Sequence, residues 1–195
     1  MPKLVDHDQR RGEMAEALWR IAAREGLEAV SLSRVADEAG VSKGRVQHYF
    51  ASREALLHFT AEHLIARVTS RMRAAVASAP DALTAARSVL LEVLPLTDDS
   101  IVDTRVGAAF LIRALGDEAL RARYRERNAE FVALLAAYLT TARDDGALGR
   151  HHEPGAVAVE LYALVNGLKE PLLLGDLTPA LATEIVDDAL ARLVG

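Results

Sequence analysis

Cysteine is absent from the 195-residue chain. That absence excludes disulfide scaffolds, cysteine nucleophiles and thiolate zinc sites together. It fits a reducing compartment such as the cytoplasm. Aromatic residues make up only 5%, and no segment alternates apolar and polar residues between turn dipeptides, so strands are not favoured. No apolar run reaches the roughly 18 residues a membrane helix needs. The opening MPKLVDHDQRRGEM lacks an apolar signal core. The expectation is a cytoplasmic protein with no membrane partner. A Gly-rich phosphate loop, a nucleophile elbow and a zinc-protease pattern are also missing. The scattered Ser, His and Asp residues form no catalytic set, which argues against an enzyme and against a bound cofactor.

What is present is 51% hydrophobic and 26% charged, a globular composition. At about 150 residues per domain, the length suits one domain or two small ones. The net charge of −5 argues against a general nucleic-acid coat. The charge is uneven, however. Residues 1–53 hold nine Lys/Arg against eight Asp/Glu, and the remainder holds fourteen against twenty. A neutral-to-basic head on an acidic body suggests two tasks in one chain, with the division placed at 1–53 and 54–195.

Alanine, leucine, arginine and glutamate dominate, so the predicted fold is all-α, with about nine helices. The first amphipathic run covers about 9–25, with Met14, Ala17, Leu18, Ile21 and Ala22 on one face, and stops at Gly26. A short segment begins near Ser31 and ends at Gly40. A long amphipathic stretch follows Ser52 and reaches Ser78, where Ala79-Pro80-Asp81 breaks it. Further helices are predicted at about 81–94, 100–115, 117–143, 155–174 and 179–193. Pro171 is expected to kink or end the fourth of these.

The informative stretch is SLSRVADEAGVSKGRVQHYFASR, residues 31–53. Ser31 can cap a short helix by accepting an orphan backbone N–H. Val35, Ala36 and Ala39 give that helix a small apolar face. Gly40 supplies backbone freedom for a steep turn. Ser42 caps a second helix whose inward anchors, Val46 and Phe50, lie four apart. Two short helices joined by a Gly-bearing turn are a helix-turn-helix pattern. The second helix carries Lys43, Gly44, Arg45, Gln47, His48 and Tyr49 on its other faces. Arg and Lys suit guanine edges, Gln suits adenine, and the capped helix N-terminus can face a phosphate. A plain helical hairpin with capping serines is the blander alternative. The polar cluster, on a helix too small to need it for folding, favours DNA.

Residues about 9–60 resemble the DNA-binding region of TetR-type transcriptional regulators. The matching pieces are Ala22-Ala23 with Gly26, Ser31 to Ala36, Ala39 to Gly44, His48-Tyr49-Phe50 and Ser52 to Leu56. In the body, Leu164-Val165-Asn166-Gly167-Leu168 and the amphipathic tail resemble the choline-responsive, Bet-type branch. The resemblance implies a homodimeric repressor, released from a DNA operator by a small organic effector. It places Lys43, Gly44, Arg45 and Gln47 at bases or nearby phosphates. Ser31, Ser33, Ser42, Tyr49 and Arg53 fall at the DNA backbone, with His48 a packing residue able to reach a phosphate. Where such proteins carry Arg or Thr at the position of Ser33, this chain has its Arg one place later, at Arg34.

The resemblance also implies an effector pocket among the body helices. Phe59, His63, Phe110, Arg113, Phe131, Tyr162 and Asn166 are candidate lining residues, although aromatic stripes at helical spacing are more often plain core. The acidic body suggests a neutral or cationic effector. The helix near 156–170 is apolar nearly all round, and the tail helix sets apolar residues against acids. Leu161, Val165, Leu168, Leu181, Ile185 and Leu193 are therefore expected at a dimer interface, internal packing being the alternative. Arg121, Arg123, Arg125 and Arg127 spread around their helix as a solvated face or, less blandly, meet an acidic ligand. His151-His152-Glu153 is read as a solvated loop, because adjacent residues do not converge on a metal. One rival is a helix-turn-helix regulator without a ligand, whose body serves only dimerisation or a protein partner. An α-helical enzyme is the other.

Overall fold

The computed structural model describes residues 2–194, with side chains described from residue 7 onward. Nine α-helices are found among them, and no strand. They are α1 (Pro2–Glu25), α2 (Leu32–Glu38), α3 (Lys43–Tyr49), α4 (Arg53–Ala77), α5 (Ala82–Glu92), α6 (Asp98–Ala114), α7 (Glu118–Asp144), α8 (Pro154–Leu174) and α9 (Pro179–Ala191). A single 3-10 turn, Leu27–Ala29, separates α1 from α2. Side-chain oxygens of Ser31, Ser42, Asp81 and Thr178 take backbone N–H groups three residues on, starting α2, α3, α5 and α9. Ser52 does the same for α4, its Oγ accepting from Ala55 N at 3.1 Å. The punctuation that marks these elements in the sequence is therefore the hydrogen-bonding chemistry that starts them.

Pro171 lies inside α8 and does not end it. Proline removes one backbone donor. Here the loss falls close to the end of the helix, which stops where Gly175 adopts φ 82°. That left-handed conformation suits glycine and ends helices commonly.

The chain packs as two units. One comprises residues 1–67 and 105–121, the other 68–104 and 122–195. The expected 53/54 division falls inside the first unit, and α4, α6 and α7 each contribute residues to both. In the first unit Met14, Leu18, Ile21, Val35, Val46, Phe50, Leu56, Leu57 and Phe110 are buried. In the second, Leu90, Leu94, Leu135, Leu139, Val165, Val186 and Leu190 form the core, with α5 packed on α8 and α9. A two-pronged ion pair at 2.5 and 2.9 Å, from Arg87 to Asp187, ties α5 to α9 at the margin of that core.

Candidate nucleic-acid interface

Helices α2 and α3 are short, seven residues each, and too short to persist alone in water. Tertiary contacts fix them. Val35 and Ala36 from α2, and Val46 and Phe50 at α3, are buried in the first unit. Between the helices Gly40 takes φ 66°, where a side chain would be strained. Val41 N then donates to Ala36 O at 2.9 Å, closing the turn. On the other side of α2, Arg20 and Arg24 of α1 both bond Glu38, at 2.8 and 2.7 Å. These hydrogen bonds, Arg24's above all, hold the Glu38 carboxyl well below the usual range, at about 2.

Burying Val46 and Phe50 turns the rest of α3 outward. Lys43, Gly44, Arg45, Gln47 and His48 are exposed, and Tyr49 is half-buried. Tyr49 packs edgewise on His48 at 5.3 Å and tilts against His7 of α1 at 4.8 Å. Among the described residues Lys43, Arg45 and Gln47 hold no side-chain hydrogen bond or ion pair. Their donors stand free on an ordered helix, and such a row can meet base edges and phosphates without first breaking protein contacts. The Ser31 and Ser42 hydroxyls are engaged as caps, each accepting at 3.2 Å, and Ser33 is exposed.

Two expected contacts are placed differently. Arg53 is half-buried and donates from Nε to Val30 O at 2.8 Å and from a terminal nitrogen to Leu27 O at 2.7 Å. It clamps the start of α4 to the loop before α2, and the carbonyls it bonds were invisible in the sequence. Arg34 is exposed but bonds Glu25 at 2.7 Å and Ala29 O at 3.3 Å, so its charge is already met by an acid.

The expected pocket residues divide between the units. In the first, Phe110 is fully buried, and Phe59 lies under the Arg11 guanidinium at 4.1 Å. His63 bonds Glu16 at 3.0 Å, and Arg113 lies 3.9 Å from Glu54. In the second, Phe131 and Tyr162 pack at 5.6 Å, and Asn166 donates to Tyr162 O. The expected dimer residues also separate. Leu161, Val165, Leu168 and Leu193 are buried in the core of their own chain, and Ile185 is half-buried against it. Leu181 alone of the set is exposed. The apolar helix pattern is thus largely satisfied by internal packing. Among the described residues no group of three metal-ligating side chains converges, and no helix is long and apolar enough to cross a membrane.

Residues 15–58, spanning this helix-turn-helix, match the family described as bacterial regulatory proteins, tetR family. Residues 82–195, more than half of the chain, match the BetI-type transcriptional repressor C-terminal family. The chain belongs to the TetR family of transcriptional regulators. Its relatives include the HTH-type transcriptional regulator PksA of Bacillus subtilis, 31% identical over 168 residues, or 86% of this chain and 80% of that one. The regulator BetI of Burkholderia mallei is 38% identical over 85 residues, 42% of this chain and 44% of that one. Among solved structures, a transcriptional regulator from Rhodococcus has TM-score 0.81 at 26% identity, covering 94% and 95% of the two chains. A regulator from Saccharomonospora viridis in complex with choline has TM-score 0.88 at 20% identity, covering 96% and 98%, and so shares the fold. These TetR families and relatives are regulators of transcription, not enzymes.

Proposed function

We propose that this TetR-family regulator is a repressor that binds a pseudo-palindromic operator as a homodimer and leaves it when a small organic effector binds the body. The observation that carries the DNA half is the exposed row of Lys43, Arg45 and Gln47, without side-chain partners among the described residues, on a capped, tertiary-fixed α3. Each subunit places α3 in a major groove. Lys43, Gly44, Arg45 and Gln47 meet base edges or adjacent phosphates, while Ser31, Ser33, Ser42, His48 and Tyr49 approach the sugar-phosphate backbone. The two recognition helices then stand about 34–36 Å apart, or a multiple of one helical turn.

The dimer face lies on the outer side of α8 and α9. Val159, Leu174 and Leu181 are large apolar residues left exposed there, and Ala156, Ala163 and Gly167 are small and exposed beside them. Small residues allow close approach of helices, and the face is self-complementary under a two-fold axis. The buried Leu161, Val165 and Leu168 support it from behind.

The effector half rests on the match to the BetI-type repressor family and on the fold neighbour that holds choline. A ligand with higher affinity for the DNA-incompetent state lowers operator affinity by that differential. Because α4 begins directly after the recognition segment and contributes residues to both units, it is a covalent route for the coupling.

Selection from a random DNA pool by the full-length protein tests the DNA half. The enriched sequences should contain two inverted half-sites whose centres are about one helical turn apart or a multiple of it. Enrichment of single half-sites, or none, contradicts the reading.

A further inference from the structure

Several partly buried arginines of this chain meet acids. Arg67 approaches Glu16, Arg71 bonds Glu92 and Asp103, and Arg87 bonds Asp187. Two partly buried cations of the second unit do not. Among the described residues Lys169 of α8 bonds the neutral Asn166 Oδ1, at 3.0 Å, and no acid. Arg127 of α7 bonds Asn128 Oδ1 at 3.1 Å and lies over the Tyr124 ring at 5.0 Å. Neither holds a carboxylate among the described residues, although Glu130 and Glu170 stand exposed on the same two helices.

The two cations also lie close enough for the charge of one to act on the other. Burial, reinforced by the Arg127 charge, pulls the Lys169 ammonium down to about 8. Burial likewise pushes the Tyr124 phenol up, so the surroundings are poor in water. The residues form matched ladders. Tyr124, Arg127 and Phe131 recur at helical spacing along α7, and Tyr162, Asn166 and Lys169 do so along α8. Phe131 meets Tyr162 at 5.6 Å, and Arg127 and Lys169 lie further along the same two helices. Tyr124, Phe131 and Tyr162 are half-buried, not core, so part of each ring is accessible. Holding two like charges together without a counter-ion costs free energy that an acid would have removed. An anion arriving between them recovers it.

We infer that Arg127 and Lys169 form an anion-binding site between α7 and α8, taking the carboxylate of an organic molecule whose apolar part lies on Tyr124, Phe131 and Tyr162. This rests on the effector reading above and makes its ligand class specific. It also reverses the expectation of a neutral or cationic effector. Net body charge averages over many solvated acids, whereas the field a bound ligand feels is set by these two groups.

The test is isothermal titration and thermal shift of the full-length protein with straight-chain carboxylates from acetate to octanoate and with phenylacetate. The matched primary amines and alcohols serve as the other arms. Carboxylates are expected to bind at least tenfold more tightly than their amines and alcohols. Lys169→Met and Arg127→Met should each weaken them by about tenfold or more, an order expected for loss of a charge-assisted bond. Circular dichroism confirms that each variant is folded. Equal binding by amine or alcohol, unchanged affinity in Lys169→Met, or no carboxylate binding to the wild type overturns the site. If Lys169→Met also loses its dimer while the wild type ignores carboxylates, the cations belong to a partner subunit's acids and the ligand site falls. Operator affinity is read in parallel. Carboxylates that bind through Lys169 without releasing the operator leave the anion site standing and remove the effector reading. An amine or alcohol that releases the operator from Lys169→Met does the reverse.

Discussion

At the scale of single residues, the arginines divide by what they already touch. Arg45 has no side-chain partner among the described residues, Arg34 has an acid, and Arg53 has two backbone carbonyls. A guanidinium bonded twice to carbonyls near the core holds elements together before it can hold DNA. Arg53→Ala is therefore expected to lower the unfolding free energy by about 1–3 kcal/mol, the order for charged-donor hydrogen bonds. The log-log salt slope of operator binding by the folded fraction should stay at its wild-type value. A stable variant with a slope flattened by about one unit would instead put Arg53 on a phosphate. Sequence spacing cannot separate these roles, because the carbonyls of Leu27 and Val30 come near Arg53 only after the chain has turned back on itself. The cation pair was hidden for a related reason. Arg127 and Lys169 are far apart in sequence, and Arg127 stands in a run of arginines that reads as a solvated face. For Arg121 and Arg123 that reading is right, since they pair with Glu118 and Glu126 on their own helix.

At the scale of elements, the helix positions were legible because most starts carry a capping hydroxyl or carboxylate and several ends carry a glycine. What the sequence hid is how elements are fastened to one another. Glu38, which looks like any surface acid, is the clasp between α1 and α2 through Arg20 and Arg24. Its folded pKa is depressed to about 2. Its contribution is thus present at neutral pH and is lost as the pH falls from the ordinary carboxylate range through about 2. An acid titration followed by amide hydrogen exchange in α1 and α2 should show this. The wild type should lose protection over that range, and Glu38→Gln should start less protected and lose less on acidification. Parallel acid profiles for the two proteins would show that the clasp contributes nothing, as some exposed ion pairs do not. The apolar pattern of α8 has a packing reason at this scale. An apolar all-round helix must be buried on several sides, and α5 and α9 of the same chain already cover the side bearing Leu161 and Val165.

At the scale of the whole molecule, DNA reading by paired half-sites requires two α3 helices held at a fixed separation. The proposed holding contact is the exposed outer side of α8 and α9. Val159 is 55% exposed in the single chain, so a charge there is harmless to the monomer's own core. In a dimer, Val159→Arg would put an unpaired charge into an apolar interface, which is strongly unfavourable. The variant should remain helical by circular dichroism, run as a monomer by light scattering, and bind the operator at least a hundredfold more weakly. A Val159→Arg protein that stays dimeric would move the interface elsewhere.

The central claim is that α3 reads base sequence, and it is tested most directly by equilibrium binding of wild-type and Arg45→Ala protein to a panel of single-base operator variants. A specific base contact is worth about 1–3 kcal/mol. Arg45→Ala is expected to lose about that much affinity for the parent operator and to become indifferent to one base position in each half-site, with other preferences intact. A folded, dimeric Arg45→Ala protein with wild-type affinity and an unchanged preference profile would contradict it.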